Sequence, residues 1–226
     1  MYDFVTGPLA WLAFGIFFIG LIYRAVWYIR GLDWRADRVA YTEYPAYGIR
    51  GALRSIFYWL LPFGTRSWRF YPGMTILFFV FHICLLFTPL FLRAHNMLLA
   101  ERWGFSLPVI SDTTADFLTI VVLVAAVFII LRRIALPEVR ALTTGYDILL
   151  ILIAVAPFLT GFFAYHHVGN YQTWLILHVL AGEIFLVAIP FTKLSHFLLF
   201  FLSRAQLGMD YGIKRGDMKR RGGLAW

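Results

Sequence analysis

Apolar residues gather into five long stretches, Pro8–Tyr28, Pro72–Leu92, Phe117–Leu131, Ile148–Phe163 and Trp174–Phe201. None shows the strict in/out alternation of a barrel strand. Each reaches, with its flanks, the roughly 20 residues a helix needs to cross the hydrocarbon layer. In lipid, a helix satisfies its own backbone donors and acceptors. The pattern therefore predicts an all-α integral membrane bundle of five transmembrane helices. Trp11, Trp27, Tyr28, Trp68, Tyr71, Trp103, Tyr165, Tyr171 and Trp174 bracket most spans, as amphipathic rings do at membrane interfaces.

The connection between the first two stretches is too long for a turn. Within it Arg50 and Arg54 stand four apart, while Ile49, Leu53, Ile56, Phe57 and Leu60 gather on another face. This predicts an interfacial amphipathic helix over about 45–62, serving as a membrane-surface anchor or as a face for a partner. The expected organisation is a membrane domain over 1–203 and a basic cytoplasmic tail over 204–226. Lys214–Trp226, with Gly216, Gly222 and Gly223, reads as flexible alone and able to order against a cytoplasmic subunit.

Composition agrees. Of 226 residues, 61% are hydrophobic and only 14% charged, against about 25% charged in soluble domains. A net charge of +8 would suggest nucleic acid in a soluble protein; in a membrane protein it reports orientation. Eight Lys and Arg lie from Arg24 to Arg69, three from Arg132 to Arg140 and seven from Lys193 to Arg221, against Arg93 and Arg102 on the opposite side. The positive-inside rule then expects the amino terminus to face outside and the carboxyl terminus to face the cytoplasm. Met1–Pro8 has no basic residue and includes Asp3, so the first stretch is expected to stay as an anchor. Cys84 is the only cysteine, which excludes an intrachain disulfide, a cysteine-held iron–sulfur cluster and c-type haem attachment.

Candidate chemistry rests on six histidines: His82, His95, His166, His167, His178 and His196. His178 and His196 are 18 residues apart. On one helix that interval is five whole turns and about 27 Å, placing both on one face near opposite membrane surfaces. The antiparallel second span supplies His82 at the level of His196 and His95 at the level of His178. Two His–His pairs at two depths are what two stacked bis-histidine haems require. On a straight helix the 13 residues from His82 to His95 leave His95 about 140° around the axis, a mismatch that a kink at Pro89 could relieve. His166 and His167 are the competing outer ligands, or else exposed residues at a helix end with possible quinone or partner contacts.

Glu183 and Lys193 are candidate proton or quinone groups, Lys193 also being able to snorkel to the interface. Thr192 and Ser195 are candidate supports for His196, and Arg93 a candidate propionate contact or an interfacial arginine. No catalytic residue is identified.

The five spans, the outside amino terminus, Phe81-His82-Ile83 early in the second span and the His178–His196 interval together resemble the cytochrome b subunits of the respiratory nitrate reductase gamma family. That family includes relatives in the high-molecular-weight cytochrome c complexes of sulfate-reducing bacteria. The resemblance implies an electron-transfer subunit of an oxidoreductase complex with two b-type haems, held by His82 with His196 and by His95 with His178. It also implies cytoplasmic iron–sulfur subunits, a periplasmic multihaem cytochrome c and another quinone-handling membrane subunit as partners, with menaquinone as a possible cofactor. The second-span interval differs from the family pattern, which has ten residues, and position 92 is Leu. A membrane anchor or assembly subunit lacking one or both haems, and a small transporter, are the alternative functions; no inverted repeat favours the latter.

Overall fold

A computed structural model describes residues 2–32 and 44–220, with side chains described as far as Gly212. The carboxyl-terminal residues 221–226 of the expected tail lie outside the described residues. Every described secondary-structure element is helical. Among the described residues, five helices are long and apolar enough to cross a membrane: α1 (Tyr2–Arg30), α4 (Pro72–Phe91), α6 (Asp112–Ala135), α8 (Gly145–Tyr165) and α9 (Tyr171–Phe191). Between and after them come α2 (Pro45–Leu60), α3 (Arg66–Phe70), α5 (Arg93–Trp103), α7 (Pro137–Arg140) and α10 (His196–Arg220). The protein is an all-α membrane bundle. Two compact units divide it, one comprising Met1–Phe14 with Gly73–Leu186, the other Gly15–Pro72 with Val187–Trp226.

In the first unit α4, α6 and α8 share a core of Phe81, Cys84, Leu85, Val122, Ala125, Ala126, Ala154, Val155 and Phe158. Three of these are alanines, because helices in lipid gain little from hydrophobic exclusion and associate where small side chains permit close packing. The large apolar side chains instead point outward, among them Ile76, Ile83, Phe117, Val127, Phe128 and Leu152. Local sequence fixes the ends. The Ser111 hydroxyl accepts from the Thr114 N–H at the start of α6, and Asp112 opens that helix while Arg132 and Arg133 close it, both matching the helix dipole. At the start of α8 the Asp147 carboxylate accepts from the Thr144 backbone N–H.

In the second unit α2 lies along α10 with glycines in contact. A Cβ on Gly51 would overlap the Gly208 carbonyl, and one on Gly208 would come within 2.7 Å of Ala52 Cα. The buried positions of α2 are Gly48 and Ala52. Its apolar stripe, Ile49, Leu53, Phe57 and Leu60, is exposed, as expected of a helix that packs through small residues and offers its apolar face to lipid. The α1 segment in this unit meets the 187–206 segment at Gly20, where a Cβ would come within 2.7 Å of Pro190, and through Phe17 against Phe197, whose ring centroids are 6.5 Å apart.

Two helix breaks correct the sequence expectations. The fifth stretch is not one helix to Phe201: α9 ends at Phe191, Thr192 is extended, and a 3₁₀ turn over Lys193–Ser195 leads into α10. Pro190 lacks the N–H that the last turn needs, and the Thr192 hydroxyl accepts from the Leu194 N–H, substituting for a helical bond. The count of five whole turns from His178 to His196 therefore fails. The second stretch likewise stops at Phe91; Leu92 is extended and His95 belongs to α5, so neither the straight-helix rise nor the 140° offset from His82 applies. Finally, α10 continues through position 203 to Arg220, so the membrane segment and the start of the tail share one helix.

Candidate functional site

At the end of α4, the extended Leu92 leaves the carbonyls of residues 89–91 without their usual helical donors. Three groups replace them. His95 Nδ1 bonds the Pro89 carbonyl at 2.9 Å, Asn96 Nδ2 donates to the Leu90 carbonyl at 2.7 Å, and the Ile110 N–H donates to the Phe91 carbonyl at 3.0 Å. Asn96 is 1% exposed. It also donates to the Leu92 carbonyl, and its own carbonyl accepts from the Leu107 N–H at 2.7 Å. The break is thus a turn whose released carbonyls are bonded, and it carries His95 on a short separate helix.

Facing it is His178 of α9, whose Nδ1 bonds the Pro157 carbonyl of α8 at 2.8 Å. Gly161 on α8 makes room for the ring, since a Cβ there would stand 3.0 Å from both His178 Cε1 and Nδ1. The His95 and His178 rings lie with centroids 5.9 Å apart and planes inclined by 23°. The structure therefore brings together the pair expected at one depth, and it does so through the helix break.

The protonation pattern follows from the partners. A backbone carbonyl has no proton to give, so Nδ1 of each ring must donate, and the neutral imidazole then keeps its lone pair on Nε2. Neither Nε2 of this pair has a hydrogen-bond partner among the described residues. Burial lowers the pKa of His95, partly opposed by its bond to Pro89, which favours the neutral ring a metal requires.

The other expected ligands are held in the same way, each within its own unit. In the first unit His82 Nδ1 bonds the Phe78 carbonyl at 2.8 Å, with the Phe78 ring 4.1 Å from the imidazole. In the second, His196 Nδ1 bonds the Lys193 carbonyl at 2.9 Å. His166 differs: its Nε2 lies 2.9 Å from Asp116 Oδ1, so the nitrogen a metal would take faces a carboxylate. His167 adopts φ 52° and stands against Tyr171, centroids 5.3 Å apart. Arg93 pairs with Asp112 at 3.8 Å.

Glu183 is 8% exposed and neither carboxylate oxygen has a hydrogen-bond partner among the described residues. Lys193 is exposed at the start of the 3₁₀ turn, while Ser195 is 3% exposed and accepts a 3.4 Å bond from Arg24. Sequence reasoning passed over Asn96, Pro157, Gly161 and Arg24. Two of them carried a signal: a glycine four residues after an intramembrane proline, and an arginine inside an apolar stretch.

Among the described residues no group of three or more His, Cys, Asp or Glu is placed to hold a metal ion. A bare zinc ion takes four ligands, commonly three or more from protein. A facing imidazole pair instead suits a metal that brings its own equatorial donors, as haem iron does. By donor type, two neutral imidazoles each presenting a basic Nε2, the pair is of the kind a bis-histidine haem takes.

No family model matches this chain, and no solved structure matches it. A protein of Nitratidesulfovibrio vulgaris (strain Hildenborough), whose name states no function, is 55% identical over 226 residues, covering 100% of both chains. At that identity over the full length of both, the chain belongs to one family with this Nitratidesulfovibrio protein.

Proposed function

We propose that the protein is a membrane cytochrome b subunit that relays electrons across the bilayer through two b haems. The observation that carries this reading is the His95–His178 pair: facing rings, Nδ1 of each tied to a prolyl carbonyl, and both Nε2 atoms left to a ligand. By the resemblance noted above, His95 with His178 would hold the outer haem and His82 with His196 the inner one. Haem iron supplies one-electron chemistry when bound.

The chain's own contribution is to fix four imidazoles in the Nε2-basic tautomer and to orient them through backbone carbonyls. Asn96 and Gly161 act on His95 and His178 in this way. The resemblance noted above, most closely to the cytochrome b subunit of the high-molecular-weight cytochrome c complex, supplies the partners. These are a periplasmic multihaem cytochrome c or menaquinol on one side, cytoplasmic iron–sulfur subunits on the other, and another quinone-handling membrane subunit. The excess of basic residues supports a periplasmic amino terminus.

The test is the pyridine-haemochrome content of the purified chain with its reduced-minus-oxidised spectrum. Two b haems are expected. His95→Ala and His178→Ala should each remove the same one, and His82→Ala and His196→Ala the other. A wild-type chain without b haem would refute the reading, and an unchanged spectrum in His178→Ala would refute the outer pair.

A further inference from the structure

Arg24 places a guanidinium inside α1, six residues and about 9 Å short of the helix end at Arg30. A charge within a span is costly and normally finds a counter-ion. Among the described residues no carboxylate lies within ion-pair distance of Arg24. Its Nη2 makes one long bond, 3.4 Å, to Ser195 Oγ. Its Nε is buried without any hydrogen-bond partner, and its Cζ stands 5.4 Å from the centroid of the Trp27 ring.

Nε and Nη2 form one edge of the guanidinium fork, the edge that takes a carboxylate side-on through two parallel bonds. That edge is held toward Ser195, a buried hydroxyl able to donate a third bond. Ser195 immediately precedes His196, whose ring is pinned by the Lys193 carbonyl. An unfilled carboxylate-binding corner thus sits one residue from a proposed axial ligand, in the same compact unit.

We infer that Arg24 and Ser195 bind a propionate of the inner haem, a role resting on the two-haem reading above. The anion removes the cost of the lone guanidinium and fixes the rotation of the macrocycle about the His196 axis. A positive charge at the propionate also favours the reduced haem over the oxidised one. A phospholipid phosphate is the other source of anionic oxygens at this chemistry, and the experiment separates the two.

Each b haem of the membrane complex is titrated potentiometrically in the wild type and in Arg24→Gln, Arg24→Lys and Ser195→Ala, alongside haem and phospholipid phosphorus per chain. Arg24→Gln should lower the midpoint potential of the haem that His196→Ala removes and leave the other unchanged. Arg24→Lys should restore part of that shift, and Ser195→Ala should give a smaller drop at the same haem. Should Arg24→Gln fail to accumulate, the Lys and Ser195 variants carry the same expectation. Unchanged potentials throughout, or a loss of phospholipid phosphorus with unchanged potentials, would overturn the inference while leaving the haem assignment standing. A wild-type chain without b haem would overturn both.

Discussion

Gly161→Ala tests whether the packing around His178 sets its role as a ligand. The new methyl would stand 3.0 Å from His178 Cε1 and Nδ1, so the ring must retreat by a few tenths of an ångström. The Nδ1 bond to the Pro157 carbonyl, 2.8 Å long, would then lengthen toward the limit of about 3.2 Å for a good N–H···O bond. Weakening it costs up to about 1 kcal/mol, and loss of an orienting partner commonly weakens metal holding about 10–100-fold. The assay is haem per chain over a dilution series in detergent. Expected is selective loss of the haem that His178→Ala removes, with the chain still in the membrane. Gly182→Ala is the control: it lies on α9 with His178, yet a Cβ there meets nothing within 4 Å, and it should behave as wild type. Equal haem retention in Gly161→Ala and wild type would refute the argument.

Asn96→Ala leaves the Leu90 carbonyl and the Leu107 N–H without partners; thermal unfolding of the solubilised chain should show a loss of about 1–3 kcal/mol for each group left buried and unpaired. Gly208→Leu puts a side chain into the Gly51 backbone, so α2 must leave α10; protease cleavage within α2 should become rapid, at a cost of about 3 kcal/mol or more. His166→Ala should retain the full haem count, because its Nε2 already faces Asp116. A missing haem in that variant would make His166 a ligand.

The spans were legible because hydropathy is a local sum: expected and observed boundaries differ by up to six residues at either end for four of the five stretches. The amphipathic helix over 45–62 was legible for the same reason, but its glycines were not visible as a packing surface. The His95–His178 pair was expected from an unbroken last helix and a second span kinked at Pro89, whereas both helices are interrupted, at Thr192 and at Leu92. The breaks at Leu92 and Thr192 depend on where carbonyls released near Pro89 and Pro190 find donors, and those donors come from elsewhere in the fold: Asn96, Ile110 and the Thr192 hydroxyl.

Charge and hydropathy, summed along the chain, determined an all-α protein of five spans and nominated its histidines by type and depth. Which nitrogen each imidazole presents and which two rings meet were decided by tertiary structure. Both depend on carbonyls and glycines contributed by other helices, and periodicity within one helix carries no record of its neighbours.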